Sequence, residues 1–256
     1  MDELLKTLLI VCPLVFLGGF VDSVAGGGGL ITLPAYLMAG LGAHFAMGTN
    51  KVVNASGTLI ASLRYFKGGK VELPPALISG AGALVGAGIG SKLALFIAEE
   101  TLKTCMLVAL PVVAVVLMVK KDFGKESEEK AQYSTRRMAI VSLLIGFVIG
   151  GYDGLVGPGT GTFMIMAFTA ALGMDLLTAS GCSKVANLAS NISSAVLFAF
   201  SGKVMWVLVI PAAACNILGA ICGTRYAMRG GSRKVRGMIF IVLGLLFIKV
   251  ISELFF

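Results

Sequence analysis

Charge is scarce in this sequence. Only 13% of its 256 residues are Asp, Glu, Lys or Arg, against ~25% in an average soluble domain. There is one histidine, and the five cysteines (Cys12, Cys105, Cys182, Cys215, Cys222) form no CxxC and all lie in apolar runs. The scarcity of charge excludes an ordinary soluble enzyme, and the cysteine spacing excludes a disulfide scaffold. No metal cluster, catalytic triad or ATP motif is present, so neither an enzyme nor a bound cofactor is expected. What is there is apolar: 57% hydrophobic residues, 34 glycines and a mean hydropathy of +0.94. A globule of this size cannot hide so much apolar surface, so the bilayer is the solvent for most of the chain. The net charge of +8 sits in short loops between apolar segments. It is a topology signal, and no nucleic-acid partner is expected.

Ten apolar segments predict an all-α integral membrane protein: roughly 4–21, 30–47, 50–66, 73–98, 103–119, 137–152, 161–173, 184–201, 204–228 and 237–255. Asp2 and Glu3 stand where a cleavable signal would carry basic residues, so the first run is kept as a membrane segment. The one long hydrophilic stretch, Lys120–Arg137, holds six basic and four acidic residues. It divides the chain into a first membrane repeat (1–119), a cytoplasmic linker (120–137) and a second membrane repeat (138–256).

The two halves repeat. Lys51 and Lys184, Asn54 and Asn187, Lys70 and Lys203, Gly90 and Gly223, and Lys92 and Arg225 are each 133 positions apart. Upstream, GFVDSVAGGGG resembles GYDGLVGPGTG, with Asp22 and Asp153 separated by 131. Such duplication organises the fold. Five segments per half make the second half enter the membrane inverted. Ten spans then put 14 basic residues on one side against 7 on the other. Eight spans give 12 against 9, so the positive-inside rule favours ten, with both termini outside. Whether 30–47 and 161–173 cross fully is left open, because the second has only 13 residues.

Three groups of residues carry candidate chemistry. Glycine-rich breaks at Ala25–Gly29 and Gly157–Gly161 leave amides and helix N-termini, including those at Gly28 and Gly159, to face an anion; the plainer alternative is a tight turn between packed helices. The motifs GTNKVVNASG and GCSKVANLASN each open an apolar segment with a lysine, and an asparagine follows one turn on. Lys51 and Lys184 are expensive in a bilayer unless paired with an anion or snorkelling to the headgroups. Asn50, Asn54, Ser183, Asn187 and Asn191 add neutral donors. Asp22 and Asp153, inside apolar segments, are candidates for carrying a coupled proton or for structural pairing with lysine. Gly82, Gly86 and Gly90, like Gly219 and Gly223, are spaced for close helix packing. His44 and Cys182 read as structural.

At these motifs the sequence resembles the TauE/SafE family of membrane anion transporters. GGFVDSVAGGGGLITLPAYL, GTNKVVNASGTLIASLRYFKGGKV, GYDGLVGPGTGTF and SKVANLASNISSAVLFAFSGKV carry the likeness. The resemblance implies secondary transport of small organic or sulfur-containing anions, such as sulfite or a sulfonate like sulfoacetate, across a cell inner membrane. It also implies proton coupling, with an uncoupled anion channel as the alternative. The expected partners are a small anionic substrate and lipid, with homodimer formation left open.

Overall fold

Every element in the described part of the chain is a helix. The structure, a computed structural model, describes residues 3–108 and 134–255. Part of the predicted linker (120–133) and of the segment before it (109–119) therefore lies outside the described residues. In chain order the helices are α1 (Glu3–Ala25), α2 (Gly29–Met38), α3 (Ala43–Lys67), α4 (Leu73–Phe96), α5 (99–108), α6 (Thr135–Leu155), α7 (Thr160–Leu172), α8 (Leu176–Phe200) and α9 (Trp206–Phe255). Helix α9 is broken at Gly231, whose φ of 60° and ψ of −159° only glycine tolerates without strain.

Four of these helices are long and apolar enough to cross a bilayer: 4–25, 73–96, 135–155 and 206–241. Their polarity is arranged inside out. In α4 the buried face is built from Ala76, Gly80, Ala83, Gly86, Ala87 and Gly90, while Leu77, Leu84, Val85, Ile89, Leu93 and Phe96 point outward and are at least half exposed. Small residues inside let backbones touch, and large ones outside face lipid tails, because association in a bilayer rests on packing and not on hiding apolar surface. Helices α3 and α8, 25 residues each, are long enough to cross but carry buried polar side chains inward. Helices α2 and α7, with 10 and 13 residues, reach only ~15–20 Å at 1.5 Å per residue, short of a ~30 Å hydrocarbon core.

The packing is reciprocal. Gly82, Gly86 and Gly90 of α4 lie against the backbone of Leu143, Phe147 and Gly151 of α6. Gly219 and Gly223 of α9 lie in the same way against Phe16 and Phe20 of α1. The residue numbers advance together in both contacts, so each is a parallel pair in which the fourth helix of one half meets the first of the other. A Cβ at Gly86 or Gly219 would strike the Phe147 or Phe16 carbonyl. At the centre, α3 and α8 cross in opposite directions. Gly48 packs on the Lys203 carbonyl, and Gly181 on that of Lys70.

These contacts also sort the ends of the molecule. Gly68 meets Met228, Gly181 meets Lys70, and Ser232 Oγ donates to Asp175 Oδ1 at 3.2 Å, so these residues share one end. The other end gathers Glu99 with His44 and Lys203 over the Phe45 ring at 5.3 Å.

Helix boundaries differ from the sequence expectation in two places. The predicted boundary at 48–49 falls inside α3, which runs unbroken from Ala43, and the chain turns earlier, between Met38 and Ala43. Helix α8 begins at Leu176, not Lys184, because Asp175 caps it by accepting from the amides of Leu177 (2.9 Å) and Thr178 (3.1 Å). Both lysines therefore lie eight residues inside their helices and do not start them. Gly48 and Gly181, the first residues of the two lysine motifs, are close-approach positions inside these helices.

Candidate functional site

The two glycine breaks meet. Helix α1 ends at Ala25 and α2 starts at Gly29; α6 ends at Leu155 and α7 starts at Thr160. Gly26 and Gly157 take positive φ (78° and 96°), which turns the chain where a side chain would be strained. Gly26 is pressed so closely onto the backbone of Gly161 that neither position has room for a Cβ. Thr162 Oγ1 ties the junction by donating to the Ala25 carbonyl at 2.7 Å. Irregular backbone from both halves thus comes together inside protein, the condition under which it is tolerated at membrane depth.

Lysines from the crossed helices reach this junction. Lys51 of α3 pairs with Asp153 of α6, Nζ to Oδ2 at 2.7 Å, and also donates to the Asp153 carbonyl at 2.7 Å. Lys184 of α8 pairs with Asp22 of α1, Nζ to Oδ2 at 2.9 Å. Each lysine binds the aspartate of the other half. The lysine side chains are 4% and 0% exposed, which rules out snorkelling for either. The paired charges explain how two lysines are accommodated: each ammonium has a carboxylate to offset its desolvation.

Asparagines line the space beside the pairs. Asn54 Nδ2 donates to Asn50 Oδ1 at 3.2 Å, Asn191 Nδ2 to Asn187 Oδ1 at 3.1 Å, and Asn216 Nδ2 to Asn54 Oδ1 at 3.2 Å. With Asp22, Lys51, Asp153, Thr160 and the glycines 26, 29, 157 and 161, the asparagines 50, 54, 187 and 191 enclose a cavity of about 20 Å³. That is room for about one or two waters. An organic anion needs the surrounding helices to separate.

Most sequence-predicted site residues gather here: Asp22, Asn50, Lys51, Asn54, Asp153, Asn187 and Asn191 line the cavity, and Lys184 abuts it through Asp22. Lys184 and three others do not line it. Ser183 Oγ turns back to the Ser180 carbonyl at 2.8 Å. Gly28 caps α2 against the Gly18 carbonyl, and Gly159 caps α7 in a left-handed conformation (φ 78°). Three residues at the site were missed. Thr160 and Ser190 donate to the Asp153 carboxylate, and both were visible as hydroxyls inside the repeated motifs. Asn216 was visible as a lone amide in an apolar run.

The residues read as structural have structural surroundings. The His44 ring joins the Glu99 carboxylate through Nδ1 and the Ala94 carbonyl through Nε2 at 3.1 Å, tying the start of α3 to the end of α4. Burial opposes the charge on Glu99, yet the hydrogen bonds and charge of His44 and the Ala43 and His44 amides hold its carboxyl below the usual carboxylate range. Cys182 packs against the Glu72 backbone. Among the described residues no three His, Cys, Asp or Glu side chains come together to hold a metal ion.

Helices with lipid-type outer faces around buried, charge-paired polar groups define a membrane transport protein, and the comparisons agree. The family described as "Sulfite exporter TauE/SafE" matches residues 11–250, and the chain belongs to that family. It is similar to the probable membrane transporter protein ORF9 of a Sinorhizobium species, 35% identical over 93% of this chain and 90% of the relative. It is also similar to the probable membrane transporter protein YfcA of Escherichia coli K12, 30% identical over 98% of this chain and 95% of the relative. A probable membrane transporter protein of Haemophilus influenzae is 31% identical over 99% and 98% of the two chains. No solved structure matches. The protein is a multi-pass membrane transporter.

Proposed function

We propose that the protein is a proton-coupled secondary transporter of small sulfur-containing or organic anions, sulfite and sulfonates such as sulfoacetate among them, in a cell inner membrane. Its substrate binds among Lys51, Lys184 and the asparagines 50, 54, 187 and 191, and of the candidates Asp22 and Asp153 one carries the coupled proton. Two inverted five-segment repeats, 1–119 and 138–256, carry one half of the site each, joined by a cytoplasmic linker at 120–137, with both termini outside. The reciprocal pairs Lys51–Asp153 and Lys184–Asp22 are the observation that carries this reading. The parallel contacts of α4 with α6 and α1 with α9, and the antiparallel crossing of α3 and α8, support the inversion.

The chemistry follows from charge. Two lysines and two aspartates leave the site with no net charge, so an anion entering it unchanged finds both ammonium groups occupied. A proton delivered to one aspartate frees its lysine, and the site then carries one positive charge to match a monovalent anion. Binding of proton and anion is therefore cooperative. A cavity of about 20 Å³, with room for only one or two waters, favours a carrier that changes shape to admit the anion over a permanently open anion channel.

The test is binding of methanesulfonate, followed by thermal shift, to the wild type and to Lys184→Ala combined with Asp22→Asn, which removes the cation without stranding a buried carboxylate. A charge-assisted contact is worth about 1.5–3 kcal/mol, so affinity should fall by roughly tenfold to a hundredfold. Unchanged affinity would take the lysine out of the anion site.

A further inference from the structure

The two ion pairs are reciprocal but unequal. Asp153 Oδ1 accepts from Thr160 Oγ1 at 2.8 Å, and its Oδ2 accepts from Ser190 Oγ and from Lys51 Nζ at 2.7 Å. Among the described residues the Asp22 carboxylate has one donor, Lys184 Nζ at 2.9 Å. The Asp22 side chain is 16% exposed against 5% for Asp153. The duplication shows why. Thr160 opens α7 as Gly29 opens α2, in the 131-residue frame of the aspartates, and Ser190 stands 133 residues after Gly57. The half that holds Asp22 has glycine where the other half has each hydroxyl.

Protonating Asp153 would break its ion pair with Lys51 and require the Thr160 and Ser190 hydroxyls, which now donate to it, to redirect their protons in a buried site, Thr160 to the Gly157 carbonyl at 2.7 Å. Protonating Asp22 displaces Lys184 alone. The titratable or charged groups around Asp22 are Lys184 on α8, Lys51 on α3 and Asp153 on α6 across the cavity, and Tyr65 on α3, whose hydroxyl is committed to the Ser23 carbonyl at 2.9 Å. Helix α2 brings the Gly28 backbone to it, α7 brings Thr160 to the same cavity, and the neighbouring turns of α1 meet Asn216 and Gly219 on α9.

We infer that Asp22 is the carboxylate that carries the coupled proton, that the Asp22–Lys184 pair is the one that parts to admit the anion, and that Thr160 and Ser190 are positioning residues that keep Asp153–Lys51 closed. This rests on the proton-coupled reading above. In the step, a proton from water adds to an Asp22 oxygen lone pair. Lys184 keeps its three protons and turns its ammonium to the arriving anion. On release the proton leaves Asp22 and the ion pair re-forms.

The experiment is the affinity of the purified full-length protein for methanesulfonate, which stays ionised, from pH 5 to 8. Wild-type affinity should improve as pH falls, by up to about tenfold per unit for one coupled proton. Asp22→Asn should bind with less than about a twofold change across the range, whereas Asp153→Asn should keep the wild-type slope. Ser190→Ala should add a second pH-dependent step by loosening Asp153, and Ser190→Thr should restore the single step. A merely structural serine would change yield and leave the pH profile alone. Gly29→Thr serves if Asp22→Asn does not fold. An added Cβ there meets the Gly157 and Pro158 backbone at an ordinary 3.6 Å, and the hydroxyl should make the slope shallower. A flat wild-type profile overturns proton coupling itself. A sloping wild type with a flat Asp153→Asn and a sloping Asp22→Asn, or with a single step retained in Ser190→Ala and the full slope in Gly29→Thr, leaves coupling standing and overturns the assignment to Asp22.

Discussion

Lys184 Nζ lies 2.9 Å from Asp22 Oδ2, a bond between residues 162 positions apart in the chain. Together with Lys51 and Asp153 it joins the two halves through charge that lipid cannot solvate. Breaking one member of such a pair is costly, because the survivor is left uncompensated.

Lys184→Ala should therefore destabilise the protein by about 3–5 kcal/mol. Adding Asp22→Asn should recover most of that loss by removing the orphaned charge. Lys51→Ala should cost less, since Thr160 and Ser190 still donate to Asp153. Detergent-solubilised melting curves of the four proteins check the order; equal losses in both single variants, with no recovery in the double variant, would contradict it.

Glycine positions should divide by what a methyl would meet. Gly86→Ala forces α4 off the Phe147 carbonyl of α6, and Gly223→Ala forces α9 off Phe20 of α1. Each should cost about 1–3 kcal/mol through overpacking. Gly237→Ala, with nothing among the described residues within 4 Å of the added carbon, should be neutral or stabilise by up to about 1 kcal/mol as a better helix former. Thermal melts of the three variants side by side make the comparison.

Asp175 gives a pH dependence of known sign. Burial works against its charge, but hydrogen bonds from Thr178, Leu177 and Ser232 outweigh it and hold the carboxyl below its ordinary value of 3.8. A carboxyl held lower in the folded state contributes stability above its unfolded value, and that contribution is lost as pH falls through the folded one. Asp175→Ala should cost about 0.5–2 kcal/mol at pH 7 as a lost helix cap. The gap from wild type should close as the pH is taken below 3.8. A gap that widens on acidification would contradict the capping account.

Sidedness can be read by labelling single cysteines in a cysteine-free background. Positions 67, 128 and 233 should react from the cytoplasm, and positions 99 and 202 from outside. Reaction of positions 67 and 233 from opposite faces would contradict the contacts that bring Gly68 to Met228 and Asp175 to Ser232.

Much of this site was legible in the sequence because duplication repeats the costly residues. A lysine, an aspartate and an asparagine recur at matching positions in apolar surroundings, and charge is kept at such depth only for a reason. What could not be read was which aspartate meets which lysine. The crossed pairing depends on how the halves interlock, and nothing local in VDSVAGGGG or GTNKVVNASG encodes the other half. Helix starts at Ala43 and Leu176 were obscured because polar residues, Thr49 and Asn50 in one half and Ser180 and Ser183 in the other, interrupt the apolar runs inside the helices. The inequality of the two aspartates lies in the differences between the repeats, Gly29 against Thr160 and Gly57 against Ser190, and a hydroxyl's worth there depends on the carboxylate that the fold brings to it.

The most direct test of the central claim is uptake of a labelled sulfonate into proteoliposomes with an imposed pH gradient, acidic outside. The account predicts accumulation above the external concentration, collapse of that accumulation when a protonophore dissipates the gradient, and its loss in Lys184→Ala combined with Asp22→Asn. Uptake that only equilibrates the sulfonate, at a level indifferent to the gradient, would contradict proton-coupled transport and leave an anion channel.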